Sequence, residues 1–281
     1  MGYEIRNCNS SDIAGLKLLW AEVFHDDNQY IDHFFESIFS INNAFVAVDG
    51  NVPVAMMFML PATLTVGKDA FLAGYIYAVA TNKSYRGQGV MTKLERYVCQ
   101  KAALSDVSVL ALVPSNKSLI KMYKKLGYQT AFYKASTIII PKVCDNAEIL
   151  NCTLDCFLEQ RKNMLTQYET YFELDAACRR YRYETLKDNG EILLYKDDVD
   201  DGYIVGQKNG NNYLILETSL PIGALAKAAF AISEKYYKLK KISLVGKNGT
   251  LTPYGMLKTL DSRVNIFGII KSNPYMNLML E

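Results

Sequence analysis

The stretch Ala78-Val79-Ala80-Thr81-Asn82-Lys83-Ser84-Tyr85-Arg86-Gly87-Gln88-Gly89-Val90-Met91 decides how this chain folds. An apolar strand ends in a polar turn holding two glycines, and an amphipathic helix begins at Val90. Glycine at those points lets the backbone turn sharply and aim several N–H groups into one small space. A helix start leaves further N–H donors unpaired and carries a partial positive charge. With the Arg86 guanidinium and the Thr92 hydroxyl in the first helical turn, these groups form a nest suited to a pyrophosphate. A plain strand-to-helix connection gives the same local pattern, so the turn needs a second piece of evidence.

That piece lies downstream, in the run Pro114–Tyr128. Asn116 stands seven residues before Tyr123. Seven residues are close to two helical turns, which puts the amide and the phenol near one helix face. An amide there suits a polar ligand arm. A phenol, titrating near about 10, can hand its proton to a departing thiolate of pKa about 8.5. A tyrosine packed beneath a helix cap is the plainer alternative.

Working outward, the periodicity predicts strands over Tyr3–Arg6, Ala44–Val48, Val52–Leu60 and Phe71–Thr81, with Asp49-Gly50-Asn51 as a hairpin turn. Helices are expected from a cap at Ser10 or Ser11 to Phe24, over Asn28–Phe39, over Val90–Leu104, and over Ser115–Leu126 with Gly127 as its left-handed end. Strands over Val107–Val113 and Tyr128–Ile140 close this half. After a linker at 142–152, a largely helical stretch runs from Leu154 to Leu186, followed by strands at 191–196, 202–208 and 211–218. A helix at 222–236, a strand at 241–246, a short helix at 254–260, a strand at 263–270 and an extended Asn277–Leu280 complete the reading. Strand, helix, strand, helix, strand thus occurs twice, which predicts two copies of one layout, in domains 1–141 and 153–281.

The segment from Tyr75 to Phe132 resembles the GCN5-related N-acetyltransferases, the GNAT superfamily. That family's pyrophosphate loop, R/Q-x-x-G-x-G/A, stands here as Arg86-Gly87-Gln88-Gly89-Val90-Met91, with Met91 in place of the small last residue. Its later segment stands as Asn116 and then Met122-Tyr123-Lys124-Lys125-Leu126-Gly127-Tyr128. With Ala73–Thr81 before the loop, the chain is similar to the branch that includes the enhanced-intracellular-survival aminoglycoside acetyltransferases. Members of that branch join two GNAT-like domains and add a sterol-carrier-like third, for which this chain is too short. The ending Pro274–Glu281 is similar to the end of their second domain.

The resemblance implies an α/β (α+β) fold, with a mixed central sheet flanked by helices and a second, degenerate GNAT-like domain. It implies acetyl-CoA as co-substrate and direct attack by an amine of a small molecule or peptide on the thioester. Val79, Ala80 and Thr81 would run beside the pantetheine arm, on a strand splayed from its neighbour. Arg86, Gly87, Gln88, Gly89, Val90, Met91 and Thr92 would hold the pyrophosphate, Asn116 would bond the arm, and Tyr123 would protonate the sulfur. Glu36 and Glu281 are candidate bases, and Tyr75 and Tyr77 candidate walls of the acceptor pocket, with His25 and His33 in the same region. In the second half, Ser219–Ala224 takes the loop's position with no arginine and one glycine, which predicts poor anion binding. The competing readings are a non-catalytic acyl-CoA-binding module with a regulatory or assembly role, and transfer of another acyl or aminoacyl group.

Composition narrows the classes. The chain has 281 residues, 50% hydrophobic and 21% charged, and a net charge of +2, which argues against nucleic-acid and anionic-membrane partners. No apolar run reaches the ~20 residues of a membrane span, and the N-terminus lacks a signal peptide's apolar core, so a cytoplasmic location is expected. Six cysteines without a C-x-x-C pair, beside two histidines, predict reduced thiols and no metal site. The oligomeric state stays open, a homo-oligomer included.

Overall fold

The computed structural model describes residues 2–144, 146–236, 239–246 and 249–280. Strand β1 (Glu4–Asn7) leads through a 3-10 turn at Ser10–Asp12 into helix α1 (Ile13–Phe24). The cap is Asn9 rather than either serine. Its side chain accepts the Ser11 N–H, and the Asp12 carboxylate reaches back to the Asn9 N–H. Arg6 grips both oxygens of Asp12 at 2.6 and 2.9 Å, tying β1 to the helix start. Leu16, Leu19 and Trp20, at helical spacing, are buried, and Asp27 caps the next helix, α2 (Asn28–Ser37).

Strands β2 (Ala44–Asp49), β3 (Val52–Val66) and β4 (Asp69–Thr81) form an antiparallel meander. Alternate residues serve opposite faces: Ala44, Val46 and Val48 join one core cluster, Phe45 and Ala47 the other. Both faces are covered, which is why these strands read as nearly continuous apolar runs. Helix α3 (Val90–Leu104) returns the chain to β5 (Val109–Leu112), parallel to β4, and α4 (Lys117–Lys125) leads to β6 (Gln129–Ile139).

The second half runs β7 (Glu148–Asn151), α5 (Leu154–Leu165), β8 (Thr170–Leu174), α6 (Ala176–Asn189), β9 (Glu191–Lys196), β10 (Asp201–Asn209), β11 (Asn212–Thr218), α7 (Ile222–Lys235), β12 (Lys241–Gly246), β13 (Thr252–Thr259) and α8 (Ile266–Lys271). The expected linker contains β7, paired with β9, and the expected helical stretch is broken by β8, which pairs the far end of β3. The elements expected at 254–260 and 263–270 change places: the first is strand β13, the second helix α8. Met256 and Leu257 show why, since these neighbours enter opposite core clusters, the period of a strand. Asn277–Leu280 forms no strand.

β13 does not stay with its own half. It lies between β5 and β6, antiparallel to both, completing the first sheet. β6 is shared: residues 129–134 pair β13, and residues 135–139 pair β12. The sheet therefore runs β1-β2-β3-β4-β5-β13-β6-β12-β11-β10-β9-β7 without interruption. Val264, Ile266, Ile269, Met276, Met279 and Leu280 also bury themselves in the cluster under α1 and α2. The two halves match from β10 through β12, but among the described residues nothing like α4 stands between β12 and β13.

Candidate active site

The site is built where two parallel strands part. β4 and β5 pair only between Ala73–Tyr75 and Val109–Ala111, although β4 continues to Thr81. On its other side the register with β3 slips between Tyr77 and Ala80, so Ala78 and Val79 stand opposite Met57 alone. This bulge sets Ala78 at φ 47, in the left-handed region, and turns the end of the strand away from β5. From Ile76 onward β4 has no strand partner on the β5 side, which leaves backbone polar groups to face a ligand.

The turn after β4 is held from both sides. Tyr85 donates to Asp49 at the end of β2 (2.6 Å), and Asn82 donates to Glu22 on α1 (3.0 Å). Gly87 and Gly89 both sit at φ 76, and a Cβ at either would meet nothing within 4 Å. Their requirement is therefore backbone conformation, not space. Gly89 begins α3 with no side-chain cap and no acidic residue in the first turn, so the helix start stays electropositive. Arg86 is exposed and donates through Nε to the Thr81 carbonyl (2.9 Å), which leaves the rest of the guanidinium free to bind.

Two adjoining cavities open at this point. Thr81, Arg86, Gly87, Gly89, Val90, Met91, Thr92 and Asn116 line the larger, of about 630 Å³. Trp20, Asp26, Tyr75, Tyr77, Ala78 and Leu280 line the smaller, of about 140 Å³. Phe24, Val79, Ser115, Leu119 and Tyr123 belong to both. Met91 packs against the core cluster under α3 and leaves the larger cavity open.

Tyr123 is 5% exposed and packs edge-on against Tyr128, and its hydroxyl makes no hydrogen bond within the described residues. Burial, then the Glu95 carboxylate, pushes this phenol well above its ordinary value, so it keeps its proton at neutral pH. Asn116 caps α4 instead of riding on its face: its Oδ1 accepts the Leu119 N–H (3.0 Å).

Not every expected residue reaches the cavities. Ala80 packs into the core and Gln88 donates to the Ser84 carbonyl (2.8 Å), and neither lines a cavity described above. Glu36 is exposed on α2, away from both cavities. His25 ends α1 in a left-handed turn (φ 62), and His33 stacks on Tyr181 at 4.9 Å, 3.7 Å from Glu184. Glu281 lies outside the described residues. Tyr75 and Tyr77 do line the smaller cavity. Tyr75 donates to the Leu280 carbonyl (2.6 Å), and the Tyr77 hydroxyl lies 3.1 Å from that of Tyr30.

Sequence reasoning missed Asp26, whose Oδ2 accepts the Trp20 indole N–H at 2.8 Å. Its only local signal was the Asp26-Asp27-Asn28 run, which reads as a helix cap. In the second half, Ser219 and Thr218 bond the backbone of Tyr203 and Leu220 is buried, so that turn spends its polar groups on itself. Among the described residues, no three His, Cys, Asp or Glu side chains are grouped to hold a metal ion, and no helix is long and apolar enough to cross a membrane.

Residues 4–131 match the family model described as the acetyltransferase (GNAT) domain. No curated protein matches the chain by sequence. Among solved structures, a probable N-acyltransferase of unknown function from Enterococcus faecalis V583 is similar at 14% identity and TM-score 0.76, over 92% of this chain and 73% of that one. A GCN5-related N-acetyltransferase from Anabaena variabilis is similar at 16% identity and TM-score 0.74, over 92% and 73%. Eis1 from Mycobacterium abscessus is similar at 12% identity and TM-score 0.68, over 92% and 74%. At these identities the likeness is one of fold.

Proposed function

We propose that this chain, whose residues 4–131 match the acetyltransferase (GNAT) domain, moves an acetyl group from acetyl-coenzyme A to an amine bound in the smaller cavity. The observation that carries the reading is the meeting of the two cavities at Val79 and Tyr123, where β4 has parted from β5. The catalytic unit is residues 1–141. The second unit, 153–281 beyond the segment 142–152, lends it β13 and the wall at Leu280.

The thioester donor suits the larger cavity. Its pyrophosphate would lie on the free N–H groups at the start of α3 with Arg86 beside it, and Thr92 and Asn116 would offer polar contacts. Unpaired backbone on β4 past Tyr75 would take the pantetheine arm and the thioester oxygen. The amine nitrogen attacks the thioester carbonyl carbon, forming the C–N bond as the C–S bond breaks. Tyr123 gives its proton to the leaving sulfur and regains one from solvent. The surplus amine proton passes through water to Asp26, the one carboxylate among the described residues that lines the smaller cavity. No covalent enzyme intermediate forms.

The test is release of thiol from acetyl-coenzyme A by the purified full chain, with and without a panel of amines, beside calorimetric titration with acetyl-coenzyme A. Amine-dependent thiol release, with weakened thioester affinity in Arg86→Ala, supports the reading. Binding without hydrolysis or transfer would leave the non-catalytic module, and absence of binding would end both.

A further inference from the structure

The smaller cavity has a size and lining that select among amines. Its volume of about 140 Å³ is close to the roughly 150 Å³ of an apolar protein cavity that takes up one benzene. Trp20, Phe24, Tyr75, Tyr77, Leu112 and Leu280 supply ring and aliphatic surface. The polar tips of three of these aromatic walls are engaged by protein: Trp20 with Asp26, Tyr75 with the Leu280 carbonyl, Tyr77 with Tyr30. What remains for a ligand is mostly apolar face, with the Tyr123 hydroxyl where the cavities meet and, among the described residues, one carboxylate on the exposed rim at Asp26.

Resting on the acetyl-transfer reading above, we propose that the acceptor is a monocationic amine carried on one ring-sized apolar body, an arylalkylamine, and not a polyamine or an amino sugar. A single ring fills the cavity and is drawn there by burial of its surface. One ammonium finds one carboxylate, and the faces of Trp20 and the tyrosines favour a cation near them. A second ammonium in the same pocket would be desolvated, and among the described residues no second carboxylate lines it. An amino sugar of two or three rings exceeds the volume, and most of its hydroxyls would face the apolar surface of the rings and aliphatic side chains.

The experiment measures kcat/KM for phenethylamine, ethylamine, spermidine and kanamycin by thiol release, with the full chain and saturating acetyl-coenzyme A. Phenethylamine is expected to exceed each of the others by about tenfold or more. Val113→Phe, which narrows the same cavity, should lower kcat/KM for phenethylamine at least about tenfold while the calorimetric affinity for acetyl-coenzyme A holds. Asp26→Asn, on the exposed rim, should raise KM for phenethylamine without moving the melting temperature. Preference for spermidine or kanamycin overturns the proposal. So does failure to acetylate phenethylamine by a protein that binds acetyl-coenzyme A, or indifference to Val113→Phe. A protein that does not bind acetyl-coenzyme A defeats the transfer reading itself, and the calorimetry separates that outcome from the others.

Discussion

Replacing Lys258 by methionine tests the join between the two halves. Lys258, on β13, reaches Glu95 on α3 at 2.8 Å, and the Glu95 side chain is 1% exposed. Among the described residues its other oxygen, Oε2, has no partner within hydrogen-bond distance, the buried Tyr128 phenol lies near the carboxylate, and the remaining neighbour on Oε1 is the weak thiol donor of Cys99 at 3.0 Å. Methionine keeps the length of the lysine stem but strands a buried carboxylate. Breaking one side of a buried pair costs about 3–5 kcal/mol. Lys258 is one-fifth exposed, so water replaces part of its contribution, and roughly 2–4 kcal/mol is the working figure. In a chain of this size each kcal/mol moves the melting temperature by about 2 °C, which gives a fall of about 4–8 °C. The assay is a thermal melt of wild type, Lys258→Met, and the double variant Glu95→Leu with Lys258→Met. The double variant should recover most of the loss, because it removes the stranded charge as well as the pair. Acetyl-coenzyme A affinity should fall in the single variant, since α3 carries the proposed anion-binding turn at its start. A single variant that melts with wild type, or a double variant no better than the single, refutes the reasoning.

Tyr123→Phe removes a hydroxyl with no hydrogen bond among the described residues, so stability should move by less than about 0.5 kcal/mol while kcat falls about 10²-fold at unchanged thioester affinity. Unaltered kcat would take the acid role from Tyr123. Gly89→Ala meets no steric obstacle, yet at φ 76 it costs about 1–2 kcal/mol of backbone strain, and calorimetry should show weaker acetyl-coenzyme A binding. Equal affinity would show that the turn does not need its left-handed geometry. Burial holds the phenols of Tyr77, Tyr128, Tyr203 and Tyr275 well above their ordinary value. In the unfolded chain they ionise near about 10, so the folded state keeps protons that the unfolded state releases above that pH. Stability against urea should accordingly be full below about pH 10 and fall as pH rises beyond it, and a flat profile to pH 11 would contradict this.

The parts of the site that were legible in the sequence are local. The bounds of α3, Val90–Leu104, follow from a glycine turn at one end and an amphipathic period that stops after Leu104. Asn116 and Tyr123 are separated by a helix whose length the spacing fixes, although Asn116 proves to be its cap. Ala78 could not be read, because nothing in an alanine between a tyrosine and a valine announces a left-handed bulge. Asp26 and Leu280 reach the smaller cavity only through tertiary packing. The exchange of strand and helix after residue 252 has a plain cause: short apolar runs fit both periods, and pairing with β5 and β6, more than a hundred residues away, decides between them.

The place of β13 between β5 and β6 has a consequence for how the protein is made. A ribosome that has delivered everything through β6 has produced a first sheet with a slot in it, and the strand that fills the slot comes out more than a hundred residues later. No nascent chain that stops short of Thr252 can close the first sheet. Transferase activity in the cell would thus report that translation ran past both halves, and a gene cut at the apparent domain boundary should yield two inert products.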